Sequence, residues 1–459
     1  MMRICACVGD IEEVRSPHLE NADLMELRLD LMGQLPDSRP PLPFIVTCHK
    51  QKTPLDRMPD QKQVQEWSSR HDALYLDLDM NEELLIDAPT FRVIRSHHDW
   101  DGTPDEKAIV DILERLNGDL DKAAFTVHGL RDLLSILQAS RSWARPHVVI
   151  GMGELGQITR IRPRSLGNEF TFASLGRGTA PGQTSVQTLR ELGDDGLVTG
   201  LLGSPISHSL SPRIHQAAYR DTGIGGHYIL LDVPEANDLH LLPEIMHGYD
   251  VRGLNVTIPH KTSVLPLMDS IDPLAEELGA VNTIHNDAGR LRGYNSDVAG
   301  LEGAFRPHSS HLRGASALLI GNGGAARAAA AFLRDRGCHI TITARDLKKG
   351  PSFAEDQGAE FVPKSSLTEH GYRVIINATP VGGLKHEGQL PIPREILQPG
   401  QLVMDMVYTP RITPLLQSAR EAGGTTIPGL EMLLHQAKES FRIWTGREPD
   451  MAALREAVQ

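Results

Sequence analysis

Eight short apolar runs, each separated from the next by a polar or helix-like stretch, divide residues 3 to 176: RICACVG, LMELRLDL, PFIVTCH, ALYLDLD, FRVIRSHHD, AAFTVHG, HVVIGMG and FTFASLG. Continuous apolar runs alternating with helices mark a parallel sheet covered on both faces. Eight βα units in succession close such a sheet into a barrel. About 190 residues is short for that architecture, so the connecting loops must be tight. A helical stretch, QTSVQTLRELG, ends the last unit, and GDDG at 193 to 196 reads as a flexible polar linker.

A second α/β pattern begins at GLVTGLLGSPISHS and runs through HYILLDV, VRGLNVTIP and AVNTIHN. The stretch ASALLIGNGGAARAAAAFLRDRGCHITITARD then reads as strand, glycine-rich turn, alanine-rich helix, strand. VIINATPVGG and LVMDMVY extend that sheet, and GLEMLLHQAKESFRIWTG reads as a closing amphipathic helix. With 459 residues the chain exceeds one ordinary core. The expected architecture is therefore α/β throughout. A (β/α)8 TIM barrel would span 1–193. A substrate-binding lobe would span 197–300, completed by the C-terminal helix at 430–459. A Rossmann lobe would span 301–429.

The net charge of −13 argues against nucleic acid or an anionic membrane as partner and leaves small-molecule substrates. Cys5, Cys7, Cys48 and Cys338 form no CxxC pair and no metal-like cluster, which suits a reducing compartment. No run approaches the roughly 18 apolar residues of a membrane helix. The N-terminus enters a strand at once, so no signal or transit peptide is expected. The expected setting is cytoplasmic.

Barrel chemistry collects at the C-terminal ends of the strands. At or near those ends stand Glu26, Arg28 and His98 and, beyond strands seven and eight, Arg160, Thr179 and Gln183, while strand six carries Lys122 near its start. Singly, each has a plain reading: Lys122 as a snorkelling amine, Glu26 and Arg28 as a mutual ion pair two apart on one strand, Arg160 as a surface cation. Together they suggest a carbonyl-binding pocket. A desolvated lysine has a lowered pKa and can attack a ketone as a neutral amine. The imine acidifies the neighbouring C–H, and a histidine can take that proton.

ELRLD, SHHD, the strand-borne Lys122, MGELGQITR and TAPGQTSV resemble type I 3-dehydroquinate dehydratase over residues 1 to 190. The resemblance implies a Schiff base between Lys122 and the ketone of 3-dehydroquinate, with His98 as general base and then acid. Glu26 would position His98 and substrate. Arg28, Arg160, Thr179 and Gln183 would hold the carboxylate and hydroxyls. On strand three the family carries an arginine and a Glu-Gly-Gly segment. Here VTCHKQKTPLD places His49 and Thr53 at those points, with Lys50 and Lys52 beside them. Histidine lacks arginine's bidentate fork.

In the second half, Gly321, Gly323 and Ala326 form a G-x-G-x-x-A pattern within a βαβ unit, with Gly324 and Ala325 between them. Such glycines allow a tight turn and close approach of a pyrophosphate to the helix N-terminus. Arg345, after the next strand, favours the 2′-phosphate of NADP, while Asp346 opposes it. Arg345 as the cap of a solvated turn is the simpler alternative. SHSLSP, NVTIPHK, AVNT and GYNSD, in that order, resemble shikimate dehydrogenase over 197–459. The resemblance implies that Ser209 and Ser211 bind a carboxylate, that Thr257, Asn282, Asp297 and Gln436 bind hydroxyls, and that Tyr408 borders substrate and cofactor. Lys261 would be the catalytic acid/base paired with Asp297.

The two resemblances imply consecutive reactions, as in fused dehydratase–dehydrogenase enzymes. Two other readings remain open at this level. One is a dehydrogenase for shikimate or quinate carrying a degraded barrel. The other is a metabolite-sensing regulator, which would be expected to lose Lys122, Lys261 or Asp297.

Overall fold

The computed structural model describes residues 2–48, 59–176, 182–367 and 371–459. The chain forms two compact units: residues 1–208 with 224–253, and residues 209–223 with 254–459.

The first unit opens with eight strands: β1 (Ile4–Val8), β2 (Leu24–Arg28), β3 (Phe44–Thr47), β4 (Tyr75–Asp79), β5 (Arg92–Asp99), β6 (Leu120–Thr126), β7 (His147–Met152) and β8 (Thr171–Ser174). They pair in parallel from β7 down to β1, and β8 pairs with β1, giving a nearly closed barrel. The seam between β7 and β8 is bridged just before β8. The Glu169 amide donates to the His147 carbonyl (3.0 Å). The Asn168 side chain accepts from Val149 N (2.8 Å) and donates to Val149 O (2.9 Å). One amide side chain thus reproduces the donor–acceptor pair that a neighbouring strand would supply.

Helices α1 (Leu29–Met32), α2 (Gln61–Arg70), α3 (Glu106–Leu116), α4 (Leu130–Ser142), α5 (Gly153–Ile161) and α6 (Val186–Leu192) follow β2, β3, β5, β6, β7 and β8. The expected eight βα repeats are therefore incomplete. Only 3-10 turns follow β1, and no helix lies between β4 and β5. Twelve residues with Pro89 among them make that connection, too few for a helix and two turns. This is how the barrel fits its short length.

Alternation along each strand sorts the interior into layers. Cys5, Leu24, Ile45, Tyr75, Ile94, Leu120 and Val148 lie in one apolar cluster. Two residues further along their strands come Cys7, Glu26, Thr47, Asp77, Ser96 and Lys122, all buried. A polar layer thus sits on an apolar floor.

The unit continues through β9 (Leu197–Gly203) and, beyond helix α7 (Ser211–Thr222) of the second unit, through β10 (Gly226–Asp232) and α8 (Leu242–Gly248). β9 and β10 pair in parallel. The GDDG stretch between α6 and β9 is anchored. Asp194 accepts from Met2 N (2.6 Å) and pairs with Arg164 (3.3 Å). The sequence suggested a free linker because Gly and Asp are turn formers, but it could not reveal these distant partners.

The second unit holds β11 (Val251–Val256, which begins at its border), β12 (Ser270–Ile271), β13 (Thr283–Asp287) and β14 (Arg290–Tyr294). β13 and β14 form an antiparallel hairpin. Helices α9 (Pro273–Leu278) and α10 (Asp297–Phe305) flank them. Then come β15 (Ser316–Ile320), α11 (Gly324–Arg334), β16 (His339–Thr343), α12 (Lys349–Asp356), β17 (Glu360–Phe361), β18 (Val374–Asn377), β19 (Leu402–Asp405), α13 (Pro414–Glu421) and β20 (Thr425–Pro428). These six strands are all parallel in the order β17-β16-β15-β18-β19-β20. That is the 3-2-1-4-5-6 order of a Rossmann lobe, whose switch point lies between β15 and β18. The predicted closing helix is α14 (Gly429–Thr445), followed by α15 (Met451–Glu456), and α14 packs along α10. Among the described residues no helix is long and apolar enough to cross a membrane.

Candidate active sites

Lys122, the third residue of β6, points into the barrel's polar layer. Its Nζ lies 2.6 Å from Asp77 Oδ2, 3.5 Å from Glu26 Oε1 and 4.5 Å from the centre of the Phe172 ring. Glu26 accepts from Thr47 Oγ1 (2.9 Å) and from the Cys7 thiol, which itself accepts from Gln183 Nε2 (3.1 Å). Burial alone would push the Lys122 amine toward neutrality. The Asp77 and Glu26 carboxylates outweigh it, so the pKa stands above the ordinary lysine value. The expectation of a lowered pKa is therefore reversed. Desolvation was legible in the sequence; two carboxylates arriving from other strands were not. Burial also opposes ionisation of Glu26, yet Lys122 and Arg28 hold its pKa below the usual range.

The plain reading of Glu26 and Arg28 as a mutual pair also changes. Arg28 does not pair with Glu26. Its guanidinium grips Asp30 at 2.8 and 2.6 Å, on the turn into α1. The partners of Glu26 among the described residues are Thr47, Cys7 and Lys122. Strand alternation decides which histidine of the HHD triplet faces inward. Ser96 is buried and in register with Lys122, so His98, two residues on, shares its side. His97 turns the other way, with its ring 6.0 Å from Phe125. The His98 ring stacks on Trp100 at 5.8 Å.

Arg160 lies in the last turn of α5, and its placement depends on a close approach. A Cβ on Gly156 would sit 2.4 Å from the backbone of Gly151, so only glycine lets α5 fold back onto β7. Arg160 is buried, and its Nε has no partner among the described residues. Burial pushes its pKa down to about 10. A buried guanidinium with an N–H to spare is a receptor for a carboxylate. Thr179, His49, Lys50, Lys52 and Thr53 lie outside the described residues.

In the second unit, Lys261 Nζ lies 2.5 Å from Asp297 Oδ2. Asn282 Nδ2 donates to Asp297 Oδ1 at 2.7 Å. The Asn282 carbonyl oxygen is fixed in turn by Ser296 N (2.7 Å) and Thr283 Oγ1 (2.9 Å). Asp297 opens α10, where the helix dipole favours its charge. Gln436 stands on α14 beside Gly300, one turn along α10 from Asp297. Thr257 is half-buried at the end of β11. Ser209 accepts from Ser211 N (3.2 Å) and bonds the Tyr408 hydroxyl.

The residues present fit a dinucleotide. Gly321, at the end of β15, has φ +120°, and a Cβ there would meet Ala378 O and Thr379 at 3.1 Å. It occupies the switch point itself. Gly323 caps α11, and Gly324, Ala325 and Ala326 form its first turn, presenting free backbone N–H groups. A Cβ on Gly324 would lie 3.5 Å from Lys261 Cδ, so the lysine–aspartate pair borders that helix end. Arg345 is exposed beyond β16. Asp346 Oδ1 accepts from Lys348 N (2.9 Å) and Lys349 N (3.0 Å) at the head of α12.

Family models match the chain as type I 3-dehydroquinase over residues 5–194, as shikimate dehydrogenase substrate binding domain over 201–284, and as shikimate 5'-dehydrogenase C-terminal domain over 429–459. A bifunctional 3-dehydroquinate dehydratase/shikimate dehydrogenase of Arabidopsis thaliana, described as chloroplastic, is 31% identical over 95% of this chain and 79% of its own. The chain belongs to this bifunctional family. Its second half is 38% identical to a shikimate dehydrogenase (NADP(+)) of Pelodictyon phaeoclathratiforme, covering 57% of this chain and 96% of that one. A Thermus thermophilus shikimate 5-dehydrogenase crystallised with NADP(H) and shikimate superposes with a TM-score of 0.53 at 36% identity, covering 57% of this chain and 98% of that one.

In this bifunctional dehydratase–dehydrogenase, Asp77 joins the Lys122 centre without having been among the residues the motifs single out. Its signal was present: an acidic residue inside the apolar run YLDLD, at an inward position of a barrel strand. Thr47, Cys7 and Ser296 were also passed over, because a buried hydroxyl or thiol in a strand is commonplace. Only the partner across the barrel or helix gives it meaning.

Proposed function

We propose that this chain dehydrates 3-dehydroquinate to 3-dehydroshikimate in its barrel and reduces that product to shikimate in its second half, using NADPH. The observation that carries this reading is the presence, in one chain, of two separate lysine centres. Lys122 lies between Asp77 and Glu26, and Lys261 lies on Asp297 beside the head of α11.

In the barrel, Lys122 is stored as an ammonium and must shed a proton before it attacks. Asp77, at 2.6 Å, is the nearest acceptor. The amine adds to the substrate ketone, and water leaves as the imine forms. His98 takes the proton from the adjacent carbon. The hydroxyl at the next carbon leaves with a proton returned by His98, and hydrolysis of the imine frees Lys122. Arg160 receives the substrate carboxylate, and Gln183 lies at hydrogen-bonding distance of the same layer.

In the second half, Ser209 and Ser211 take the carboxylate, and Thr257, Asn282, Asp297 and Gln436 take hydroxyls. Lys261 gives a proton to the carbonyl oxygen during reduction, and Asp297, 2.5 Å away, holds its ammonium in place. Gly321, Gly323, Gly324, Ala325 and Ala326 would hold the pyrophosphate of NADP, Arg345 its 2′-phosphate, and Tyr408 would border the ring. When bound, NADPH supplies the hydride.

We further propose domain limits at 1–193, 197–300 with 430–459, and 301–429, and a reducing, cytoplasmic setting. The latter is supported by four cysteines without disulfides.

The test uses 3-dehydroquinate alone, without nicotinamide. Its dehydrated product is a conjugated enone, so growth of ultraviolet absorbance reports the barrel directly. Growth that Lys122→Ala abolishes supports both activities. No growth, with shikimate still reducing NADP in a parallel cuvette, leaves a dehydrogenase with an inert barrel.

A further inference from the structure

Helix α5 serves two neighbours. Its last turn carries Arg160 toward the barrel's polar layer, and the helix also packs against β10, which follows the barrel in the chain. Immediately past its end stands Arg162, buried although it is an arginine. Its Nη2 donates to the Gly196 carbonyl at the head of β9 (2.5 Å) and to the Asp250 carbonyl (3.5 Å), with Asp250 Oδ2 at 3.6 Å. Nothing in barrel chemistry calls for this residue. A buried guanidinium is expensive unless its N–H groups are engaged, so the position is sensitive to the acceptors it meets.

We propose that Arg162 is a positioning residue for dehydration: it fastens α5 to the segment that follows the barrel and thereby sets where Arg160 meets the substrate carboxylate. The inference rests on the reading of Arg160 as the carboxylate receptor. Two backbone links make the coupling short. Arg162 N donates to Ile158 O (2.8 Å), closing the final turn, and Thr171 Oγ1 of β8 holds Arg160 O (2.8 Å). Loss of the Arg162 clamp leaves that turn fixed from the barrel side only. Displacement of a guanidinium by a fraction of an ångström spoils bidentate geometry before it affects a reacting carbon elsewhere in the pocket. The residue before Asp250 makes a second attachment, to α4, where Tyr249 Oη donates to Leu133 O (2.9 Å) in a buried contact. The two attachments can therefore be separated by mutation.

The experiment measures steady-state kinetics of both reactions in the full chain for Arg162→Ala, Arg162→Lys, Arg160→Ala and Tyr249→Phe. Arg162→Ala is expected to raise KM for 3-dehydroquinate about tenfold with kcat within twofold, and to leave shikimate oxidation unchanged. Arg162→Lys should recover part of the KM. Tyr249→Phe, which loosens the docking away from α5, should leave KM where it was. An unchanged KM in Arg162→Ala overturns the proposal if Arg160→Ala raises it. So does an equal loss in both reactions, or a matching KM rise in Tyr249→Phe, since either marks general loosening. An unchanged KM in Arg160→Ala removes the carboxylate reading itself, and the proposal with it.

Discussion

Lys122 Nζ and Asp77 Oδ2 stand 2.6 Å apart in the barrel, joining β6 to β4 across its buried polar layer. The amine that the proposed function makes the nucleophile is thus held as a cation. On that reading its deprotonation is part of the reaction.

Removing that carboxylate separates storage from chemistry. In Asp77→Asn, burial acts on Lys122 with only Glu26 opposing it, so the amine pKa falls. The acidic limb of kcat/KM for dehydration should move down by about one to two pH units. The plateau should drop about tenfold, because the nearest proton acceptor is gone. A pH–rate profile that keeps its acidic limb would show that Asp77 does not govern the amine.

The two lysines should fail separately. Lys122→Ala is expected to abolish enone formation from 3-dehydroquinate while shikimate oxidation proceeds. Lys261→Ala should lower kcat of shikimate oxidation by about 10²–10⁴-fold with a smaller change in KM, while dehydration proceeds. Parallel loss of both activities in either variant would contradict two independent centres.

The proposed function gives Arg345 the 2′-phosphate of NADP. It is exposed beyond β16, while the Asp346 carboxylate is occupied by the amides of Lys348 and Lys349. Arg345→Ala should raise KM for NADP by about tenfold, equivalent to about 1.4 kcal/mol, with little change for NAD. Equal effects on both cofactors would remove its 2′-phosphate role.

Acid should destabilise the second unit through His215. Burial beside Phe441 and Trp444 pushes its imidazole down to about 3. In the unfolded chain it titrates near 6.5. Between those values the unfolded state binds the extra proton. Stability is therefore fully present above about pH 6.5 and is lost as pH falls toward 3, at up to about 1.4 kcal/mol per pH unit. Urea unfolding of this unit at pH 7 and pH 5 measures the slope, and His215→Gln should flatten it.

Period and punctuation carried the architecture. All eight barrel runs are strands, and the βαβ around Gly321 is the heart of a 3-2-1-4-5-6 sheet. A parallel strand buried on both faces has to be apolar, and a turn at φ +120° against a neighbouring carbonyl has to be glycine, so such features are written locally. The same is true of α14, whose apolar stripe is visible at helical spacing.

Partnership was not written locally. Spacing along β2 offers Arg28 as a partner for Glu26. The barrel gave it to Lys122, Thr47 and Cys7, and gave Arg28 to Asp30. It also brought in Asp77 from a strand 45 residues before Lys122. Which carboxylate faces an amine depends on strand order and stagger around a closed sheet, quantities with no imprint at either position. The charge state of Lys122 followed the same rule. Its residue type and burial were legible in the chain, but the sign of its pKa shift was decided only when tertiary structure set two carboxylates against it.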